Sequence, residues 1–153
     1  MSFMTDALRA QFASSVAQAA RSMRRAVDRR LQPYGLTEAT WLPLLRLSRS
    51  PTPMRQKDLA ASLGLDSSSV VRLIDALQAA GLVQRKEEDQ DRRAKTIVLT
   101  ERGQATVAQV ERIAKEVRDG AMSGIPDAEL RRALRLVTQL SAALEADSAG
   151  ATP

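Results

Sequence analysis

Serine and arginine side chains in the middle of the chain carry the most recognisable chemistry of this sequence. Ser67, Ser68 and Ser69 stand together, and Arg72 follows about one helical turn later. A serine hydroxyl donates or accepts a hydrogen bond, and an arginine guanidinium donates two parallel bonds to a phosphate or to guanine. This set can therefore contact the phosphates and base edges of nucleic acid without catalysing a reaction.

The spacing of apolar residues predicts two helices around these side chains. The second helix would bury a stripe at helical intervals, made of Val70, Ile74 and Leu77. Ser68, Ser69 and Arg72 then fall on or near its outer face. A short helix over residues 56–63 precedes it, and Gly64 turns the chain between the two. In a helix-turn-helix, the second helix lies in the major groove of DNA and presents its N-terminal residues to the bases.

A purely structural role is the alternative for the same residues. Asp66 or Ser67 would cap the second helix, and Arg72 would pair with Asp75 or Asp58. We favour DNA contact for Arg72, and the choice between capping and contact stays open for Ser67.

A predicted β-hairpin adds a second set of charges. Residues 82–86 and 95–99 read as strands, and the polar segment 87–94 forms a loop too long for a tight turn, so it should project. A projecting arginine can enter the narrow minor groove, where the electrostatic potential is most negative. The candidates at the tip are Asp91, Arg92 and Arg93. The aspartate would hold the last arginine in one rotamer; the alternative is a solvated charged loop.

Arg55 is a further candidate. It stands directly before the helix over residues 56–63, where a capping Ser or Thr is expected. A cation at this position opposes the helix dipole. A DNA phosphate beside Arg55 would remove the conflict, so we predict a phosphate contact.

The composition disfavours an enzyme. The 153 residues contain neither Cys nor His, so the chain has no thiolate nucleophile, no histidine base and no disulfide. Zinc would have only carboxylate ligands, which is poor zinc chemistry, and we expect no metal and no cofactor. No apolar run approaches the ~20 residues of a membrane span, and no signal-peptide pattern is present. We therefore expect a cytoplasmic protein.

The net charge of +5 does not by itself indicate a nucleic-acid partner. Residues 1–50 carry eight arginines against three acidic residues, whereas residues 51–103 carry nine basic and eight acidic residues. The excess therefore lies outside the segment that we expect to contact DNA. Arginines of the first helix could pair with a carboxylate ligand, although solvent exposure or pairing between subunits is favoured.

Long amphipathic helices are predicted at both ends of the chain. The first covers about residues 6–32, and the last two cover about residues 100–122 and 126–146. Their apolar stripes offer more surface than one small module can cover, so we expect a second copy of the chain to pack on them. The alternative is a monomer whose ends pack internally.

Residues 36–103 resemble the MarR family of bacterial winged-helix transcription regulators. The matching pieces are Leu36-Thr37 with Trp41, Lys57-Asp58-Leu59-Ala60 with Leu63-Gly64-Leu65, the run from Ser67 to Leu77, Gly81-Leu82-Val83, and Asp91-Arg92-Arg93 leading to Leu99-Thr100-Glu101-Arg102-Gly103. The helix-turn-helix alone fits many regulator families, but the combination is specific. Thr40, where the family often has Gln, and Pro43, which should kink or shorten its helix, depart from the family pattern.

The resemblance implies a mainly α fold with a small β-hairpin wing. The implied parts of this single domain, residues 1–153, are a winged helix-turn-helix DNA-binding lobe at 36–103, dimerisation helices at 1–35 and 104–146, and a flexible tail at 147–153. It also implies a homodimer that binds a pseudo-palindromic operator in double-stranded DNA, with Asp91 and Arg93 paired at the wing tip.

In the family, small aromatic or phenolic ligands commonly bind between the dimer helices and the DNA-binding lobe and release the operator. Here that crevice would draw on Met23, Tyr34 and Trp41. The lack of Cys excludes the thiol-oxidation branch, and the lack of both Cys and His argues against the zinc-sensing branch. We predict a homodimeric repressor of a nearby operon that such a ligand releases. The alternative is a winged-helix module that binds DNA or protein and has no effector.

Overall fold

The chain folds into six α-helices and a three-stranded antiparallel sheet, counted over the residues that the structure describes. This structure is a computed structural model that describes residues 2–88 and 91–150, without the side chains of Ser2 and of residues 91–93. The elements in chain order are α1 (Ser2–Leu31), a short 3₁₀ turn (Gln32–Tyr34), α2 (Glu38–Arg49), β1 (Met54–Arg55), α3 (Gln56–Leu63), α4 (Ser67–Ala79), β2 (Val83–Glu88), β3 (Asp91–Leu99), α5 (Glu101–Met122) and α6 (Asp127–Gly150). The predicted mainly α fold with a small β-hairpin wing is confirmed.

The helices begin and end close to where the residue pattern places them. α3 covers the predicted residues 56–63 and ends at Gly64, whose φ of 66° lies in the left-handed region that suits glycine. α2 continues through Pro43 to Arg49, although we expected the proline to kink or shorten it. Pro43 lacks the N–H that would bond the Ala39 carbonyl. Its ring is buried, however, so packing offsets part of that loss.

The hairpin is longer than predicted. β2 and β3 pair as far as Glu88 and Asp91, so most of the predicted loop 87–94 belongs to the strands, with a register shift between Glu87 and Glu88. Solvated strands need no apolar residues on their exposed faces. The polar composition of this segment therefore concealed its strand character.

A third strand, β1, links the start of α3 to the hairpin. Met54 pairs with Ile97 and Arg55 pairs with Thr96, so β3 is the central strand of the order β1-β3-β2. A two-residue strand has no periodicity that a sequence can reveal. Its pairing with residues about forty positions away exists only in the tertiary structure.

The first compact unit covers residues 1–117. Two clusters of buried side chains stabilise the part of it that the structure describes. One cluster joins α2, α3, α4, the sheet and α5 and comprises Leu44, Leu59, Ala60, Val70, Ile74, Leu77, Leu82, Val83, Ile97 and Val107. The other joins α1, α2 and α5 and comprises Val27, Leu31, Trp41, Leu45, Val110, Ile113, Ala114 and Val117. α2 contributes to both clusters and so connects the helix-turn-helix to the end of α1.

The second compact unit, residues 118–153, contains α6. None of the residues of α6 is buried, and its exposed large apolar side chains are Leu134, Leu136, Val137 and Leu144. α6 continues through Gly150, whereas we expected a tail from Asp147 onward. The small residues in this stretch are compatible with a helix, and residues 151–153 lie outside the described residues.

The first half of α1 also presents apolar side chains to solvent. They are Phe3, Met4, Leu8 and Phe12, exposed by 93%, 85%, 66% and 44%. No helix within the described residues has both the length and the apolar character needed to cross a bilayer. Such contiguous exposed apolar side chains are typical of interaction surfaces.

Thr100 connects the start of α5 to the end of α4. Its Oγ1 donates to the Gly81 carbonyl over 2.6 Å and accepts the N–H of Gly103 over 3.0 Å, so Thr100 caps the start of α5. Gly103 lies against the backbone of Leu82, the residue before β2, so closely that a Cβ on Gly103 would overlap the Leu82 carbonyl oxygen. The absence of a side chain at Gly103 therefore permits this junction.

Gly103→Ala should lower the free energy of unfolding by about 1–3 kcal/mol, because the added methyl forces the backbone of Leu82 to move. Urea denaturation measures the change. Gly120→Ala is the matched control in the same helix, since no atom lies within 4 Å of its added Cβ; it should raise stability by about 0.5–1 kcal/mol. Equal midpoints for the two variants would contradict the close approach at Gly103.

Candidate functional site

Asp66 holds the start of α4. Its Oδ1 accepts the backbone N–H of Ser69 at 2.7 Å and the hydroxyl of Ser68 at 3.0 Å. The bond from the Ser69 backbone, with smaller contributions from the Ser69 and Ser68 hydroxyls, lowers the pKa of Asp66. The cap is therefore an anion that complements the positive end of the helix. Of the two caps that the sequence allowed, Asp66 is the N-cap, and Ser67 is the first helical residue.

The buried stripe of α4 decides which side chains face solvent. Val70, Ile74 and Leu77 are buried, as the apolar spacing predicted. We call the opposite, exposed surface the outer face of α4; its residues are Ser67, Ser68, Val71 and Arg72. The first half of this helix thus presents hydroxyls, one guanidinium and one apolar side chain to solvent.

Arg72 is exposed on the outer face, and its two expected partners bond to other residues. Asp75 Oδ1 lies 2.7 Å from Nη2 of Arg85, and Asp58 accepts the N–H of Arg55 at 2.9 Å. Arg72 forms no ion pair with any side chain in the described part of the chain. The alternative in which Arg72 only pairs with Asp75 or Asp58 is therefore wrong.

The structure adds detail for two residues of α4 that the apolar spacing left unspecified. Val71 is 36% exposed, on the outer face. Its position four residues after Ser67 was the signal that could have found it. Ser69 is half-buried and lines a cavity beside α2, rather than standing fully on the outer face.

Ion pairs join the hairpin to both helices of the helix-turn-helix. Arg85 in β2 contacts Asp75 and donates to Gln78 Oε1 at 2.8 Å, which ties the strand to α4. Arg55, the N-cap of α3, donates from Nε and Nη2 to the two carboxylate oxygens of Glu88 at 3.0 and 2.8 Å. The hairpin is thereby anchored at two points along its length. The pairing of Arg55 with a carboxylate is a contact that the sequence analysis did not anticipate.

The tip of the hairpin carries the remaining candidates. The backbone of residues 91–93 belongs to β3, but the side chains of Asp91, Arg92 and Arg93 lie outside the described residues. Their contact with the minor groove therefore stays a prediction. The backbone pairing of Glu88 with Asp91 does bring the tip close to the Arg55–Glu88 pair.

A cavity of about 470 Å³ lies between α2 and α4. Its lining is mostly apolar and comprises Glu38, Ala39, Leu42, Pro43, Leu63, Leu65, Ser69 and Leu73. Its volume is within the usual range for small-molecule sites, about 300–1,000 Å³. Because Ser69 and Leu73 belong to α4, a molecule in this cavity would touch the same helix that bears the outer face.

The three predicted ligand residues lie apart from that cavity. Trp41 is 2% exposed, and its Nε1 donates to Asp28 Oδ1 at 3.1 Å, so it belongs to the core. Tyr34 is 51% exposed and forms a hydrogen bond with Arg112. This hydrogen bond and, to a smaller extent, the negative charge of Glu116 raise the pKa of Arg112. Met23 is half-buried on α1. None of the three lines the cavity between α2 and α4.

The arrangement of α3, α4 and the hairpin defines a winged helix-turn-helix, in which the hairpin is the wing. The sequence pattern of the MarR family matches residues 34–94. The structure of transcriptional regulator PA3341 is 39% identical and superposes with a TM-score of 0.81, covering 88% of this chain and 98% of that one.

Two further solved structures share the fold. CouR from Rhodococcus jostii RHA1, determined with bound p-coumaroyl-CoA, is 26% identical, with a TM-score of 0.73 over 84% of this chain and 90% of that one. MepR from S. aureus, determined as a complex with DNA, is 22% identical, with a TM-score of 0.72 over 86% of this chain and 97% of that one. From these likenesses and the matched pattern, the chain belongs to the MarR family of transcriptional regulators.

Proposed function

We propose that this protein is a homodimeric repressor that binds a pseudo-palindromic operator in double-stranded DNA. The observation that carries the proposal is the outer face of α4, where Arg72 stands exposed and unpaired by any described side chain, next to two serine hydroxyls. In a helix-turn-helix this end of the second helix meets the base edges. We assign the protein no catalytic role, in line with its family.

Each residue of the outer face has a role that its chemistry suits. Arg72 would donate to guanine or clamp a phosphate, and the hydroxyls of Ser67 and Ser68 would bond phosphates or bases. Val71, with its two methyl groups, would contact the methyl group of a thymine. Arg92 and Arg93 at the wing tip would follow the neighbouring minor groove, with Asp91 orienting Arg93. Ser69, which lines the cavity, would contribute chiefly through its backbone N–H at the cap.

Dimerisation is supported by the exposed apolar residues of both units. Phe3, Leu8 and Phe12 on α1 are exposed over several turns, and so are Leu134 and Leu144 on α6. Left in water, such residues lose the stabilisation of about 1.5–3 kcal/mol that burial of each would supply. A second copy of the chain would bury them and would space two α4 helices about one turn of DNA, ~34 Å, apart. In this proposal residues 1–35 and 104–146 are dimerisation segments, and residues 36–103 are the DNA-binding lobe.

A small-molecule effector is supported by the cavity between α2 and α4. The residues that line the cavity are mainly apolar, and two of these residues, Ser69 and Leu73, belong to α4. An apolar or aromatic ligand there would push on α4 and change how the outer face meets the operator. The CouR structure, which holds an aromatic thioester of coenzyme A, makes aromatic ligands a reasonable first class to test. The alternative is a regulator of the same fold with no effector.

Arg72→Ala should weaken binding to the selected operator by about 1–3 kcal/mol and relax the base preference at one position of each half-site. Fluorescence anisotropy on an operator selected from random duplexes measures this. The matched control is Arg102→Ala, since Arg102 stands at the end of the hairpin remote from its tip. Arg93→Ala in the same assay tests the wing. Wild-type affinity and preference for Arg72→Ala would exclude the outer face as the reading surface.

Leu134→Glu should convert the dimer to monomer, because a carboxylate at the centre of an apolar interface is buried without a partner. Light scattering over a concentration series measures the mass. The matched control is Gln139→Glu, which places the same charge on the opposite side of α6 by helical geometry. A wild-type chain that stays monomeric, or a Leu134→Glu variant that stays dimeric, would contradict the proposed interface.

A thermal-shift screen of small aromatic compounds should find a class that raises the melting temperature and weakens operator binding by roughly 5- to 150-fold. Ala39→Phe, which fills the cavity between α2 and α4, should abolish both effects. Ala79→Phe is the control, because Ala79 is an exposed residue of α4 that does not line the cavity. A ligand effect that survives Ala39→Phe would place the effector elsewhere, and no effect from any compound would favour the module without an effector.

A further inference from the structure

Arg55, the N-cap of α3, forms a bidentate ion pair with Glu88 of the wing. Two nitrogen–oxygen distances, 3.0 and 2.8 Å, join the guanidinium to both carboxylate oxygens. The side chains are 43% and 29% exposed, so solvent and a bound polyanion can both reach the pair. A bidentate geometry of this kind is the strongest form of arginine–carboxylate contact. Glu88 therefore holds the Arg55 guanidinium in one orientation and cancels its charge.

The position of the pair makes this cancellation relevant to DNA. Arg55 is the N-cap of α3, the first helix of the helix-turn-helix, and in this motif the first helix crosses the DNA backbone. The backbone of Glu88 in β2 pairs with that of Asp91 in β3, next to the tip of the wing. The pair thus joins the start of α3 to the wing close to its tip. Because the first helix of the motif crosses the DNA backbone, a cation at the start of this helix would meet phosphate.

We propose that Glu88 sets the sequence-independent affinity of the lobe for duplex DNA by withholding Arg55 from the phosphates. This inference rests on the proposed function. Each cation that neutralises a phosphate adds to the affinity for every sequence and steepens the salt dependence by about 0.9 in log–log slope. Residues 51–103 carry only one more basic than acidic residue. A single withheld arginine is therefore a large part of the charge of this lobe.

Such a device has a clear physical use. Phosphate contacts strengthen binding to every duplex alike, so they also slow release from DNA. A carboxylate that engages one arginine keeps this common part of the affinity low, while Arg72 on the outer face still reads bases. The lobe then depends more on base contacts than on total charge.

The test measures binding to a 30-base-pair duplex of random sequence and to the selected operator, each across a salt series. Glu88→Gln keeps an oxygen that can accept from Arg55 but removes the negative charge. It should bind both duplexes about 5- to 10-fold more tightly at 0.1 M salt, with a slope steeper by about 0.9. Adding Arg55→Gln to this variant should return both affinity and slope to wild-type values.

Glu87→Gln is the matched control, because it removes the same charge from the neighbouring position of β2, where the exposed carboxylate has no ion pair among the described side chains. It should change affinity by less than about twofold. Melting curves of all variants check that folding is unaltered.

Five results would overturn the inference. An equal gain for Glu87→Gln, or a gain for Glu88→Gln that persists without Arg55, would mean that only the total charge matters. Weaker operator binding for Glu88→Gln at an unchanged slope would mean that Glu88 acts by orienting the wing. Failure of the wild-type protein to bind any duplex would refute the proposed function itself, and the inference with it, whereas normal wild-type binding with an unaltered Glu88→Gln variant would refute the inference alone.

Discussion

Burial of one face of α4 is the constraint on which the proposed DNA-binding surface depends. Val70 and Ile74 are 1% and 0% exposed and pack with Leu59 of α3, Val83 of β2 and other members of the same cluster. Because a helix has a fixed angular step per residue, a fixed buried stripe also fixes the opposite side. The hydroxyls and the guanidinium of the outer face are thereby presented together, by a helix that cannot rotate without exposing its apolar residues.

The wing is held in a different way along its length. Near its base, Val83 and Ile97 are buried in the core. Towards its tip, polar contacts take over, namely Arg85 with α4 and Arg55 with Glu88. Exposed ion pairs of this kind contribute only about 0–1 kcal/mol to stability. Their effect is therefore mainly on the orientation of the wing and on the charge that the lobe presents to a polyanion.

Local patterns were sufficient for the parts of the fold and site that they control. The bounds of α3, the turn at Gly64 and the buried stripe of α4 follow from apolar spacing and one glycine, and the fold class follows from the resemblance that these and the other motifs carry. Parts that depend on distant partners were missed or misjudged. β1 exists only through its pairing with β3, and the Arg55–Glu88 contact joins residues 33 positions apart. The exposure of Val71 and the half-burial of Ser69 beside the cavity were not predicted, because the apolar period of α4 does not say how far α2 covers it.

The sequence alone determined which residues could form helices, which side of α4 is apolar, and which chemistry is absent through the lack of Cys and His. These properties are local or compositional, so no tertiary contact is needed to read them. The tertiary structure alone decided which charges remain exposed: Asp75 is taken by Arg85, Glu88 takes Arg55, and Arg72 is left on the outer face. Electrostatic pairing depends on distances of a few ångströms between segments far apart in the chain, and only the packed core establishes those distances.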